Sequence, residues 1–167
     1  MTFLTRSTNL HHTFSSIKSS GIQKLFTPSG RTLLVDWNSF RVREILPDDT
    51  FRTILGTDFD GDGPPDLSDL TDPGADPLTV NLNHPMDVVE LPDGDLLFSN
   101  WHNHKLRSWD PQTGKVLVWL GAGVGFDGDG ATTDTTLMNL PNGIDFDPDA
   151  FVDALVHRED DLFFATI

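Results

Sequence analysis

The chain has no cysteine, which removes structural disulfides and thiolate metal sites from consideration. It is also short of positive charge. Eleven Lys and Arg stand against 26 Asp and Glu, for a net charge of −15. Nucleic-acid binding rests on clustered Lys and Arg facing phosphates, so this balance excludes nucleic acid as a partner. The same deficit argues against anionic membrane surfaces. No apolar run approaches the roughly 18 residues of a membrane span. Residues Met1–Ser20 carry Arg6, Lys18 and the pair His11–His12 among several Ser and Thr. They lack the apolar stretch of roughly 7–15 residues that marks a secretory signal, so no signal peptide is visible. They read as a poorly ordered N-terminal extension. No segment shows a sustained helical period.

What the sequence does contain is a repeat. Gly21-Ile22-Gln23-Lys24-Leu25-Phe26-Thr27-Pro28-Ser29-Gly30 aligns with Pro85-Met86-Asp87-Val88-Val89-Glu90-Leu91-Pro92-Asp93-Gly94 at a shift of 64. At that same shift, Leu33 to Arg43 meets Leu97 to Arg107. Gly56 then meets Gly121, and Phe59-Asp60-Gly61-Asp62-Gly63 meets Phe126-Asp127-Gly128-Asp129-Gly130, as the shift drifts to 65 and 67. A third copy opens at Pro141. Its Ile144-Asp145-Phe146-Asp147-Pro148 matches Val88 to Pro92. After an insertion around Phe151–Asp160, Asp161 to Thr166 matches Asp95 to Asn100.

Each unit reads as four short strands. In the second they are expected near Met86–Leu91, Asp95–Asn100, Lys105–Asp110 and Lys115–Leu120, where Val, Leu, Phe and Trp suit a pleated, half-buried surface. Pro92-Asp93-Gly94 and Pro111-Gln112-Thr113-Gly114 supply hairpin turns. One such unit cannot bury its own faces, and stacked copies can. A β-sandwich is the alternative arrangement of strands at this spacing.

Asn100-Trp101-His102-Asn103-His104-Lys105-Leu106-Arg107 resembles the signature of NHL repeats: Asp or Asn, two variable residues, Asn-His-Arg or Asn-His-Lys, an aliphatic residue and Arg. Asp36 to Arg43 is a partial copy, with Ser39 and Phe40 in place of Asn and His. Gly121 to Gly130, followed by Leu137 to Pro141, resembles the Gly-Asp-Gly connector of bacterial NHL proteins. The resemblance covers residues 21–167. It implies an all-β fold, a β-propeller of NHL type holding about two and a half four-stranded antiparallel blades of an incomplete ring. The boundaries expected are a blade at 21–56, a connector at 57–84, a blade at 85–121, a connector at 122–140 and a partial blade at 141–167. Further blades or self-association would close the ring. An extracellular or periplasmic setting is also implied by the resemblance.

The candidate residues fall into three groups. In the repeat motif, Asp36 and Asn100 are expected to tie the next turn to the backbone. Arg43 and Arg107 are expected to meet acidic neighbours between blades. Trp37 and Trp101 fill space between blades or on the ring face, while Asn103 and His104 complete the signature. His84, His102 and His104 form a second group, three imidazoles that could hold a metal in a central pocket. The third is Asp58-Phe59-Asp60-Gly61-Asp62-Gly63-Pro64-Pro65-Asp66-Leu67-Ser68-Asp69. Its carboxylates Asp58, Asp60, Asp62, Asp66 and Asp69, with Gly63 at the sixth position, nearly match the spacing of a calcium loop, so calcium is the one candidate cofactor. As a family connector the same loop needs no metal.

Catalytic patterns are sparse. No serine sits in a nucleophile elbow, and Gly121–Gly130 lacks the Lys of a phosphate loop. Fold and function are separable on such scaffolds. The expected role is a binding or scaffold module for a protein, glycan or small ligand. The alternative is a metal-dependent enzyme, because relatives by fold include lactone hydrolases and amidating lyases. That role would draw on Asp87 and Asp145 at inner strand ends, where the first unit has Gln23.

Overall fold

The computed structural model describes residues 17–19, 22–126, 128–146 and 162–166. Residues 1–16 and the insertion at 151–160 lie outside the described residues. The chain is all-β, built on antiparallel meanders. In the first sheet, β1 (Ile17–Ser19), β2 (Ile22–Phe26), β3 (Thr32–Asp36), β4 (Arg41–Ile45) and β5 (Phe51–Gly56) lie in sequence order. The second sheet orders β6 (Pro85–Glu90), β7 (Leu96–Asn100), β8 (Lys105–Asp110) and β9 (Lys115–Leu120) in the same way. A short parallel pair, β10 (Gly123–Val124) and β11 (Leu137–Met138), precedes the antiparallel pair β12 (Pro141–Phe146) and β13 (Leu162–Thr166). Among the described residues the helical segments are single 3-10 turns: η1 (Trp37–Ser39), η2 (Ser68–Leu70), η3 (Pro77–Thr79) and η4 (Trp101–Asn103).

Two local details differ from the sequence expectation. The first unit carries a fifth strand, because Ile17–Ser19 pairs with Ile22–Lys24 inside a stretch read as an extension. In the second unit β6 ends at Glu90 and β7 starts at Leu96. Leu91 N–H donates to the Asp95 carbonyl at 2.8 Å, so both residues belong to the turn. Gly94 there has φ +93°, which a turn of this kind requires.

Matched sequence positions occupy matched places. The β4–β5 register slips between Val42 and Arg43, and β8–β9 slips between Leu106 and Arg107. Pro85 pairs with Asn100 before a slip, as Pro141 pairs with Thr166 before another. A Cβ on Gly56 would stand 2.2 Å from the Phe40 carbonyl oxygen, and one on Gly121 would stand 2.4 Å from that of His104. Both glycines have positive φ, so the repeat keeps glycine where a strand end crosses a left-handed residue.

The core explains why Leu96-Leu97-Phe98 is apolar without alternation. Leu96 and Phe98 face one cluster with Leu33, Val35, Val42 and Leu55 of the first sheet. Leu97 faces the opposite way, with Leu106, Met138 and Ile144. A strand covered on both sides reads as a continuous apolar run. Each such fully buried side chain contributes about 1.5–3 kcal/mol. The connector after β5 enters the first cluster through Ala75, Val80 and Leu82. Ala75 also bridges Val116 of β9 by backbone bonds in both directions, 2.9 and 3.0 Å.

Candidate ligand-binding face

The motif shapes one end of each sheet. After β7 the chain makes the 3-10 turn Trp101–Asn103 and reverses through His104 at φ +55°. After β3 it makes the same turn at Trp37–Ser39 and reverses through Phe40, also at φ +55°. His84, just before β6, shares that left-handed conformation. Backbone bonds seat the second turn on the entry to β6. Trp101 N–H donates to the His84 carbonyl at 3.1 Å and His102 N–H to that of Asn83 at 3.2 Å.

These turns bring five rings together. Trp101 stacks on His102 with centroids 4.0 Å apart, and His84 lies 4.5 Å from Trp37 and 4.6 Å from His102. Phe40 and His84 stand nearly perpendicular, with ring centroids 5.4 Å apart. The indole Nε1 atoms of Trp37 and Trp101 are buried without hydrogen-bond partners. His84 Nδ1 is 2.9 Å from His102 Nδ1 and 2.5 Å from Asn83 Oδ1. Burial, helped by neighbouring His102 and opposed by Asp60, holds the His84 imidazole below its ordinary pKa. The expected histidine trio is split. His104 turns away, its Nδ1 accepting from Leu140 N–H at 3.2 Å. The His84–His102 contact spans 18 residues. The sequence hint of it is that His84 directly precedes a repeat start while His102 occupies a motif position.

The motif arginine builds a second constellation. Arg107 is sealed from solvent. Its Nε donates to Asp69 at 3.0 Å, Nη2 to Asp62 at 2.7 Å, and Nη1 to Asn100 at 3.1 Å and Asn103 at 3.2 Å. Asn103 in turn donates to the Gly61 carbonyl at 2.7 Å and accepts from Asn83 N–H at 3.0 Å. The connector preceding the second sheet is thus clasped to that sheet through its arginine. Asp36 and Asn100 make no side-chain bond to the turns they precede, contrary to the capping expectation, and Asn100 serves the guanidinium instead. In the first unit Asp36 and Ser39 replace the two asparagines, and Arg43 Nε is buried without a partner.

Four of the five loop carboxylates are engaged by protein groups. Asp58 pairs with Arg41, and Asp62 with Lys105 and Arg107. Asp69 takes Arg107, while Asp66 accepts from Ser68 N–H and Oγ at 3.1 and 2.7 Å. Burial pushes the Asp62 carboxyl up, but the bonds from Lys105 and Arg107 hold it below the usual range. Calcium takes about 6–8 convergent oxygens. Among the described residues no group of three or more His, Asp or Glu side chains is placed to hold a metal ion. The arrangement does not fit calcium, because arginine and lysine fill the role a cation would have.

Strands β2, β6 and β12 line a small cleft of ≈130 Å³ that includes Gln23, Asp87 and Asp145. Gln23 Nε2 donates to Asp87 Oδ1 at 2.9 Å, and Ile144 N–H reaches Oδ2 at 3.3 Å. Asp87 therefore ties three units together. Glu90 adds a tie, accepting from Ser29 Oγ at 2.6 Å and Ser29 N–H at 2.8 Å.

No helix among the described residues is long and apolar enough to cross a membrane. No family model matches the chain and no curated protein matches it. Among solved structures it is similar to a protein of unknown function from Bacteroides thetaiotaomicron VPI-5482, with a TM-score of 0.51 and 19% sequence identity. The match covers 70% of this chain and 27% of that one, so this chain spans little more than a quarter of that structure's length. At this identity the likeness is one of fold, and it agrees with an all-β chain built mainly on antiparallel sheets.

Proposed function

We propose that the chain is part of an NHL-type β-propeller that serves as a binding module for a protein, glycan or small ligand. In this reading residues 21–56 and 85–121 are blades, 57–84 and 122–140 are connectors, and 141–167 opens a third blade. The observation that carries the binding role is the ring cluster of Trp37, Phe40, His84, Trp101 and His102 on one end of two adjacent sheets. Aromatic faces contribute large apolar contact area at small entropic cost, and the imidazoles add directional bonds. The turn holding Trp101 and His102 is pinned to the entry of β6 by backbone hydrogen bonds, which favours a preformed surface.

The enzyme reading draws less support. Its axial carboxylate Asp87 already accepts bonds from Gln23, Val88 and Ile144. The discriminating experiment screens soluble oligosaccharides and short peptides against the chain and against Trp101→Ala. The proposal expects ligands retained by the parent chain to lose affinity in the variant. Ligands indifferent to Trp101→Ala but lost on Asp145→Ala would overturn it in favour of the cleft.

A further inference from the structure

The contact between His84 and His102 has the geometry of a chelate. Two imidazole nitrogens bound at right angles to a first-row divalent ion, at about 2.0–2.1 Å each, stand about 2.9 Å apart. The two Nδ1 atoms here are 2.9 Å apart. Asn83 Oδ1 lies 2.5 Å from His84 Nδ1. His84 Nδ1 thus has two further lone-pair-bearing atoms in contact with it. With both rings as Nε2–H tautomers the three atoms are all acceptors, and a cation satisfies them together.

The rings are also held in place. Trp101 stacks on His102, and Trp37 and Phe40 flank His84. Orientation of this kind by outer neighbours is what keeps metal-ligating imidazoles ready. His102 is exposed, which leaves an entry path and room for water in the remaining positions. Asp60, bridged through its backbone to Leu82, places a carboxylate whose charge is felt at His84. The net charge of −15 favours a cation further.

We propose that His84 and His102, with Asn83, form a binding site for a divalent transition-metal ion of the copper, nickel or zinc class. Imidazole and amide oxygen suit these ions, and the donor set has none of the carboxylates that calcium prefers. The site lies on the proposed ligand face but does not need a ligand for its test, since the metal alone is the probe.

The test uses the full chain with His11→Ala and His12→Ala, which removes the competing histidine pair at the N-terminus. Copper(II) is titrated and followed by electron paramagnetic resonance, with zinc(II) titrated calorimetrically alongside. The expected result is a single saturable site whose spectrum shows two imidazole nitrogens. His102→Ala, at an exposed position, should abolish the two-nitrogen signal. His84→Asn, a residue that tolerates the left-handed backbone, should do the same without unfolding the chain. His104→Ala should leave it unchanged. A signal that survives His102→Ala, one that is lost with His104→Ala, or no saturable copper binding at all would overturn the proposal. Because no oligosaccharide or peptide is present, these outcomes are separate from the failure of the ligand-binding reading.

Discussion

The Arg107 guanidinium donates through Nε to Asp69 at 3.0 Å, and neither side chain reaches solvent. This pair closes the connector onto the second sheet. It also turns a loop that reads as a calcium site into an internal ion-pair network. Removing one partner of a buried pair leaves an uncompensated charge. Arg107→Met should therefore cost about 3–5 kcal/mol, while Asp62→Asn, at a half-exposed carboxylate, should cost about 0–1 kcal/mol. Urea unfolding measures both. The double variant Arg107→Met/Asp69→Leu should recover much of the loss, since no buried charge remains.

The hairpin carboxylate Asp95 gives a pH signature. Burial, with the charges of Asp93 and Asp110, pushes its carboxyl up to about 6. The folded chain then binds a proton that the unfolded chain, with an ordinary value of 3.8, does not bind until lower pH. Stability from this group should rise as pH falls from about 6 toward 3.8 and vanish above that window. Glu44 and Asp62 act oppositely. Their carboxyls are held low by Arg31 and Arg52, and by Lys105 and Arg107, so their contribution is lost only as pH falls through those depressed values. In melting curves from pH 4.5 to 7, the stability of Asp95→Asn relative to the parent chain should grow as pH rises.

His84 should titrate low and respond to its neighbour. Burial is the larger cause and His102 the second. His102→Ala should raise the His84 pKa, read by NMR of the imidazole protons against pH. Because the folded value lies below 6.5, stability from this group is complete above pH 6.5 and is lost as pH falls through the folded pKa. An unmoved His84 titration in His102→Ala would mean that the rings do not meet in solution.

The glycine that crosses the left-handed residue should be the less replaceable of two. Gly121→Ala meets both a positive φ of +107° and the His104 carbonyl oxygen at 2.4 Å. Gly114→Ala, at φ +68°, meets no atom within 4 Å. The backbone penalty of about 1–2 kcal/mol applies to both. Gly121→Ala should exceed Gly114→Ala in destabilisation, by equilibrium unfolding.

Much of the fold is legible in the sequence because repeated residues carry repeated constraints. Pro92-Asp93-Gly94 marks a turn by its backbone demands, and Gly56 and Gly121 mark a close approach. The two-sided burial of Leu96 to Phe98 is visible as an unbroken apolar run. Less of the candidate face is legible. His84 sits outside the motif, and its contact with His102 depends on how a connector re-enters a sheet. The fate of the acidic loop was equally hidden, because acidic spacing is the same whether a metal or Arg107 fills the centre. The extra strand Ile17–Ser19 carries no turn signal that separates it from a loose terminus.

The most direct measurement of the binding role is an NMR fragment screen read at the four indole N–H signals. Trp37 and Trp101 belong to the ring cluster, whereas Trp109 and Trp119 pack on the two core clusters and serve as internal controls. Binding surfaces concentrate small-molecule hits. The account predicts fragments that shift Trp37 and Trp101 together with the His102 imidazole and leave Trp109 and Trp119 unmoved. Hits that gather at Gln23, Asp87 and Asp145 while the Trp37 and Trp101 signals stay still would contradict it.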